Sequence, residues 1–335
     1  MTGTLWLSGV ISAQLPPPPG QVAPGEAPRY EAYLFAHMMQ GDYGRLYYSV
    51  SRDGLHWELL NHGRRVFEDY RGHASICRGP DHRYYLVGNR SDDAPDINFW
   101  VSTNLITWQK YGEFTPNLQT VPDYPKPLAR IGAPKLFFDA VSAQYLLTWH
   151  TPHDLGPTDL PEPYWASQRT LYVTSKDLRT FSDPPRKFFH WDLATIDTIV
   201  QPENGIYYAI IKDERYPTVN WPTGKTIRIC QSGQLRGNYS PPGPPISPSF
   251  REAPTLIPAP NGKAWYLYYE QYPGVAYGLS AALTLAGPWF EVAGNQRPDW
   301  DKFYLPPKVR HGAMLPISRQ EFDALVAAFG KATAP

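Results

Sequence analysis

Short segments in which apolar and polar residues alternate recur along the chain, and the commonest of them share one ending. Each is an apolar strand followed by Ser, a polar turn, Leu and an aromatic residue, as in LYYSVSRDGLHW at 46–57. Alternation with a period of two is typical of β-strands that bury one face. The serines that end these segments are Ser51, Ser102, Ser175, Ser232 and Ser280.

Two further sets of strand-like segments accompany the first. The second set is rich in aromatic and β-branched residues, which favour strands, and covers 31–37, 83–89, 144–150, 206–212 and 264–270. The third set is shorter, and its members recur about every 60 residues, a spacing that indicates a repeat architecture. Aligned on their first residues, the third-set segments begin at His73, Gly132, Asp197, Glu252 and His311.

Five copies of this three-strand pattern predict an all-β fold, a five-bladed β-propeller that forms a single domain over residues 29–335. The first strands, at 31–60, have no third-set segment before them, and HGAML at 311–315 has no second-set segment after it. We therefore expect both ends of the chain to share one blade and close the ring. A sandwich of two sheets with similar turns is the alternative interpretation.

The two ends of the chain carry different signals. The C-terminal stretch has a capping box, Ser318 to Glu321, followed by FDALVAAFG, which predicts one short helix outside the ring. Residues 1–28 are expected to be disordered, with a Pro-rich spacer at 16–19. Residues 1–14 resemble the remnant of an export signal, although they lack a basic start. We expect a secreted or periplasmic protein and, failing export, a cytoplasmic one.

Composition narrows the range of partners. The chain contains 31 basic and 31 acidic residues and has no net charge, so it lacks the field that attracts nucleic acid. No apolar run reaches the roughly 20 residues of a membrane helix, so a membrane is not an expected partner. Hydrophobic residues make up 42% of the chain, enough for a packed core that includes Cys77 and Cys230. We expect a globular monomer.

The propeller geometry predicts where the candidate catalytic residues lie. The innermost strands of a propeller surround its central channel, so the residues that begin the third set lie near one mouth. His73, Asp197, Glu252 and His311 are expected to converge there. Two close carboxylates push their pKa values apart, which leaves one protonated for acid-assisted cleavage of a glycoside. The alternative is that these residues are only the polar ends of structural strands.

Four segments in order resemble motifs of the five-bladed β-propeller glycoside hydrolases, glycoside hydrolase family 43 and its relatives. They are IGAPKLFFD (131–139), ATIDTIVQPENGIYYAIIKDE (194–214), EAPTLI (252–257) and VRHGAML (309–315), and the resemblance covers about residues 29–318. The resemblance implies that Glu252 is the general acid and that Asp197 tunes this acid and orients the substrate. It also implies that His311 is a central-channel histidine able to hold an ion such as Ca²⁺, while the reaction requires no cofactor.

The chain departs from the family pattern at two places. The aspartate that serves as catalytic base in the family is replaced by His73, which stands in YRGHASI (70–76). In IGAPK, Gly132 takes the place of a tryptophan and Lys135 that of an acidic residue. We therefore expect a wider and more positive pocket, suited to a substrate with a carboxylate or sulfate. The expected substrate-binding residues are Lys135, Arg90, His150, Trp149, Trp165, Arg130 and Arg310.

These observations favour a glycoside hydrolase that removes a terminal sugar from a plant or microbial oligo- or polysaccharide, with Glu252 protonating the leaving oxygen. His73 would act as the base or bind substrate, and the acidic loop at 91–96 could supply a substitute base. Two alternatives stay open. One is a sugar-binding propeller that has lost hydrolysis, and the other is a polysaccharide lyase in which His73 or Lys135 takes the proton beside a uronate carboxylate.

Overall fold

The structure is a computed structural model that describes residues 28–90, 94–154, 159–294 and 302–331. Of the segment expected to be disordered, only Pro28 lies within these ranges, so that prediction and the one for export concern residues outside the described part. Two aspartates of the acidic loop, Asp92 and Asp93, also lie outside it. No helix of the described residues is long and apolar enough to cross a membrane.

The described residues form mainly strands, as the alternating pattern predicted, and the all-β class is confirmed. In chain order the strands are β1 (Ala32–Met39), β2 (Asp42–Ser51), β3 (Trp57–Leu59), β4 (Ser75–Arg78), β5 (Tyr84–Asn89), β6 (Ile97–Ser102), β7 (Gln109–Phe114), β8 (Gly132–Asp139), β9 (Gln144–Thr151), β10 (Arg169–Ser175), β11 (Arg186–Lys187), β12 (Thr195–Glu203), β13 (Ile206–Asp213), β14 (Thr226–Ser232), β15 (Arg251–Pro258), β16 (Trp265–Gln271), β17 (Ala276–Ala282), β18 (Phe290–Val292) and β19 (Val309–Ile317). The α-helices are α1 (Pro163–Ala166) and α2 (Arg319–Phe329).

The strands of the described residues form five antiparallel sheets, which are the five predicted blades. Blade 1 has the order β19-β1-β2-β3, blade 2 holds β4 to β7, blade 3 holds β8 to β11, blade 4 holds β12 to β14, and blade 5 holds β15 to β18. Five apolar clusters hold the ring together, each drawn mainly from two adjacent blades. The five-bladed propeller is therefore confirmed.

The two ends of the chain meet in blade 1. Strands β1 and β19 pair antiparallel along their lengths, with Ala32 opposite Ile317, so the predicted closure of the ring is confirmed. The capping box then begins α2 as predicted. The Ser318 hydroxyl accepts a hydrogen bond from the Glu321 N–H at 3.2 Å, and the Glu321 carboxylate accepts one from the Ser318 N–H at 2.8 Å.

Blade 4 differs from the four-stranded pattern of a propeller blade, because the described residues form three strands there. The chain after β14 still runs beside it, since the N–H groups of Ser240, Gly243 and Ile246 donate to backbone carbonyls of β14. Residues 240–248 read SPPGPPISP. Proline has no N–H to donate and fixes its own φ, so this segment cannot form a regular fourth strand.

The serines that end the first-set strands of blades 1 to 4 organise the turns that follow them, whereas Ser280 in blade 5 hydrogen-bonds to Tyr269 and to the Ile246 carbonyl. The Ser102 hydroxyl accepts a hydrogen bond from the Leu105 N–H at 2.9 Å, and the Ser175 hydroxyl accepts one from the Leu178 N–H at 2.8 Å. Leu105 and Leu178 have positive φ values of 63° and 55°, which are unfavourable for leucine. The side-chain hydrogen bond supports this conformation, so the repeated serine has a structural role.

The pairing of β1 with β19 requires a residue without a side chain at Gly312. A Cβ atom there would lie 2.0 Å from the Ala36 carbonyl oxygen and 2.8 Å from the His37 Cα. We expect Gly312→Ala to lower the free energy of unfolding by about 1–3 kcal/mol, since the two strands must move apart. The control is Gly233→Ala, where an added Cβ has no neighbour within 4 Å. Equal thermal-unfolding midpoints for the two variants would contradict this expectation.

Candidate active site

A cavity of about 670 Å³ opens at the end of the ring where the inner strands β4, β8, β12, β15 and β19 begin. Side chains from all five blades line it, so the convergence expected from the repeat is observed. The expected site residues that line the cavity are His73, Arg130, His150, Trp165, Asp197, Glu252, Arg310 and His311.

Glu252 and Asp197 do not occupy the same position in their blades. In blade 5 Glu252 lies opposite Glu270, and in blade 4 Ile196 lies opposite Lys212. Glu270 and Lys212 occupy equivalent positions, since each ends the second-set segment of its blade. Ile196, not Asp197, is therefore level with Glu252. Asp197 is the next residue, inside a β-bulge, with a φ of 53°. The alignment on first residues was wrong by one position in blade 4. Blades 3 and 5 have the same register shift after Gly132 and Glu252, so the offset comes from aligning on Asp197 and not on Ile196.

Three basic groups contact the Glu252 carboxylate. The Lys212 ammonium lies 3.1 Å from Oε2. On the other oxygen, Oε1, His311 Nε2 lies at 3.3 Å and the Arg310 guanidinium at 3.6 Å. The Glu252 side chain is 14% exposed, so it reaches the cavity while most of it is enclosed by these groups.

Glu270 ends the second strand of blade 5 and holds two of these basic groups from a fully buried position. Its Oε1 accepts a hydrogen bond from Arg310 Nε at 2.5 Å, and its Oε2 accepts one from the His311 backbone N–H at 2.9 Å. Oε2 also lies 2.7 Å from His311 Nδ1, so it pairs with the ring of His311 as well as with its backbone. Burial opposes the imidazolium form, but the carboxylates of Glu270 and Glu252 outweigh it and raise the pKa of His311.

The cluster of Glu252, Glu270 and His311 does not fit a metal ion, although its ligand atoms lie within 4.8 Å of one another. Both ring nitrogens of His311 face carboxylates, and the raised pKa favours a proton on each. Arg310 contacts both carboxylates as well. A cation would have to displace these charges, so the arrangement favours an imidazolium at His311 over the expected ion.

Asp197 is held ionised although it is only 2% exposed. Burial alone would raise its pKa, but the charges of Lys135 and then His311 hold that pKa below its ordinary value. Asp197 Oδ2 accepts a hydrogen bond from the Ala253 N–H at 3.0 Å, which ties it to the residue after Glu252. Lys135 is buried and does not line the cavity. Its charge therefore compensates the charge of Asp197, and its ammonium group is not placed to contact a sugar in the cavity.

The space left by Gly132 is filled from within the protein. A Cβ atom at Gly132 would lie 1.9 Å from His150 Nε2. The absence of a side chain at Gly132 therefore leaves the space that the His150 ring occupies. The expected widening of the pocket does not arise at this point. Burial lowers the pKa of His150 to about 4, so its ring is neutral at pH 7 and lines the cavity as a hydrogen-bonding group.

His73 is also buried and neutral. Burial and then the neighbouring His311 lower its pKa well below the ordinary value, and the opposing effect of Asp197 is smaller. His73 Nε2 lies 2.5 Å from the Tyr43 hydroxyl, and its ring packs edge-on against that of His311 with centroids 4.6 Å apart. A neutral imidazole with low proton affinity suits a hydrogen bond to a sugar hydroxyl better than removing a proton from water or binding an anion.

Two expected substrate-binding residues lie away from the cavity. Trp149 is 2% exposed in the core between blades 2 and 3, where its indole N–H donates to the Thr151 hydroxyl at 2.9 Å. Arg90 pairs with Asp96 at 2.9 Å and does not line the cavity. Alternate side chains of a strand point to opposite faces, so lying near the end of a second-set strand does not place a residue in the site.

Loops add residues that the repeat did not predict. Lys212 contacts Glu214 at 2.6 Å, Glu214 contacts Lys225, and Lys225 contacts Glu162 at 2.8 Å. These ion pairs connect the neighbourhood of Glu252 to a loop of blade 3. The described cavity lining has four carboxylates and four Lys or Arg side chains, and His311, whose pKa the carboxylates of Glu270 and Glu252 raise, adds a further basic group. The four carboxylates and the four Lys or Arg side chains are Glu162, Asp197, Glu214 and Glu252, and Arg130, Lys212, Lys225 and Arg310.

Glu270 is expected to control the protonation of His311. Glu270→Gln removes a negative charge 2.7 Å from His311 Nδ1 at nearly constant shape. Because this charge raises the pKa of His311, the variant should lose the His311 proton at a lower pH than the parent does. NMR titration of the histidine ring signals measures the difference, with Glu113→Gln on the outer strand β7 as the control. An identical His311 titration in Glu270→Gln and the parent would exclude this role.

A family model for glycosyl hydrolase 43-related domains, described as a probable glycosyl hydrolase domain, matches residues 28–323. The comparison with curated proteins gives no match. A similar solved structure is a GH43_12 protein retrieved from a capybara gut metagenome, with 17% identity, 80% of this chain and 48% of that chain covered, and a TM-score of 0.53. Another is an exo-β-1,3-galactanase from Phanerochaete chrysosporium with galactose, with 15% identity, 68% and 52% covered, and a TM-score of 0.50.

The family match and the structural matches carry different weight. At 15–17% identity the solved structures show a shared fold alone, and this chain spans about half of their length. The family match extends from the first described residue into helix α2, and therefore includes all five blades and every residue of the cavity. The chain thus belongs to the family of glycosyl hydrolase 43-related domains.

Proposed function

We propose that the protein hydrolyses the glycosidic bond of a terminal sugar in this cavity, with Glu252 as general acid. The best support is the 3.3 Å contact between His311 Nε2 and Glu252 Oε1, because it joins a ring able to pass on a proton to a carboxyl group on the cavity wall. A general acid needs a proton near neutral pH and access to the leaving oxygen. The exposed part of Glu252 provides that access.

The pair formed by His311 and Glu252 supplies the proton for the leaving group. As the bond between the sugar and the leaving oxygen breaks, Glu252 gives that oxygen a proton, and His311 Nε2 replaces it on Glu252. Asp197 is tied to the strand that carries Glu252, because its Oδ2 accepts a hydrogen bond from the Ala253 N–H. Asp197 also holds a sugar hydroxyl in register, the role that the family resemblance implies.

The substrate we propose is neutral. Four carboxylates offset the four Lys and Arg side chains of the described lining, and Arg310, Lys212 and Lys225 already contact carboxylates of the protein. A uronate or a sulfate would have to compete with these ion pairs. Terminal galactose is the first sugar to test, because an exo-β-1,3-galactanase shares the fold, and arabinose and xylose follow from the family resemblance.

Aromatic rings at the mouth are suited to the sugar units beyond the cleaved one. Tyr164 and Trp165 line the cavity and are 40% and 39% exposed. Tyr216 and Trp221 are exposed on the neighbouring loop of blade 4, where the Arg215 guanidinium lies 4.2 Å from the centroid of the Trp221 ring. Sugars present apolar faces that pack on such rings. We therefore place the rest of the oligo- or polysaccharide over these loops of blades 3 and 4.

The other activities considered from the sequence have less support. A lyase needs a base beside the substrate, but Lys135 does not line the cavity and His73 has a low proton affinity. A sugar-binding propeller without hydrolysis would have the same cavity and differ only in turnover. Measurement of turnover therefore separates it from the proposal.

Replacement of the acid gives the direct test. Glu252→Gln should lower kcat by about 10²- to 10⁴-fold, because an amide cannot donate a proton to the leaving oxygen. Binding of the oligosaccharide should persist, since the shape is nearly unchanged. Release of terminal galactose, arabinose or xylose from neutral oligosaccharides measures the rate, and Glu113→Gln on β7 is the matched control. A Glu252→Gln variant that keeps more than about half of the parent rate would remove Glu252 from the acid role.

A further inference from the structure

We propose that Glu162 is the general base that activates the attacking water, an inference that rests on the proposed glycoside hydrolysis. In glycosidases that invert configuration, a second carboxylate removes a proton from water on the side of the sugar away from the acid. His73 stands where the family has this carboxylate, and it is a neutral, buried imidazole. The base must therefore come from another part of the cavity.

The carboxylates that line the cavity differ in how much of each residue is exposed to solvent. Among the described residues these are Asp197, Glu214, Glu252 and Glu162. Asp197 and Glu214 are each 2% exposed, and Glu214 is fixed between two lysines. Glu252 is assigned to the acid. The Glu162 side chain is 45% exposed, so it is the one that meets both the cavity and bulk water.

The position of Glu162 in the ring suits a base that faces Glu252. Glu162 directly precedes α1, in the loop between β9 and β10 of blade 3, whereas Glu252 begins β15 in blade 5. The two residues are two blades apart, which is the greatest separation that a ring of five allows. A sugar between them would present its leaving oxygen to Glu252 and its opposite face to Glu162.

The surroundings of Glu162 hold it in place. The Lys225 ammonium lies 2.8 Å from Oε2, and the described residues make no hydrogen bond to Oε1. Oε1 is therefore available to a water molecule. Pro161 and Pro163 flank the residue, and proline restricts the backbone on both sides. Glu162 itself has a φ of 49°.

The chemical step balances with these two carboxyl groups and one water. Glu162 Oε1 takes a proton from the water as the water oxygen forms a bond to the anomeric carbon. The bond between that carbon and the leaving oxygen breaks, and the leaving oxygen receives the proton of Glu252. The product sugar has inverted configuration, and Glu162 returns its proton to solvent through its exposed side.

Two variants of Glu162 and one control test this role. Glu162→Gln should lower kcat by about 10²- to 10⁴-fold with little change in KM, because an amide cannot accept the proton. Glu162→Gly suits the positive φ and leaves room for a small carboxylate, so added sodium formate should restore its rate at least about tenfold. Asp159→Asn, an exposed acid in the same loop that does not line the cavity, should keep the parent rate.

The outcomes separate this inference from the proposed function. Loss of activity in Glu252→Gln together with full activity in Glu162→Gln would overturn the base assignment and leave the acid in place. A rise in KM without formate rescue of Glu162→Gly would also overturn it, since Glu162 would then only hold Lys225. A wild-type protein that hydrolyses none of the neutral oligosaccharides would overturn both proposals. Thermal-unfolding midpoints confirm that each variant is folded.

Discussion

Charges buried at the centre of the ring have to compensate one another, because too little water reaches them to solvate them. Glu270 is fully buried, and its two oxygens are occupied by Arg310 and His311. Both of these basic residues also contact Glu252. The acid of the proposed reaction is therefore positioned by a residue that never reaches the cavity. Loss of any one of these charges would leave its partners buried without compensation.

The same constraint explains why some of the carboxylates and histidines in the site are charged and others are neutral. Lys135 and His311 keep Asp197 ionised, whereas burial keeps His73 and His150 neutral. Neutral rings and paired charges suit the hydroxyl groups of an uncharged sugar. Only the carboxylates at the edge of this network have access to water, and a hydrolytic reaction needs such access on both sides of the sugar.

Periodicity in the sequence was sufficient to predict the five blades, the closure by β1 and β19 and the convergence of the third-set residues. These features follow from strand repeats, which sequence patterns report directly. The offset of Asp197 by one position was not predictable, since alternation alone does not choose between Ile196 and Asp197 as the residue level with Glu252. Glu270 could have been found, because it ends a second-set strand just as His150 and Lys212 do. Glu162 and Lys225 lie in loops, and Tyr43 lies at the start of β2 ahead of the first-set segment, so the repeat did not point to any of them.

The most direct test is a crystal structure of the Glu252→Gln protein with a neutral oligosaccharide that the parent cleaves. We expect the terminal sugar to lie in the cavity between blades 5 and 3, with its glycosidic oxygen about 3 Å from the side chain of residue 252. The following sugar units should lie over Tyr164 and Trp165. An oligosaccharide bound only at the rim, or with its glycosidic oxygen facing another blade, would contradict the assignment of Glu252 as the acid.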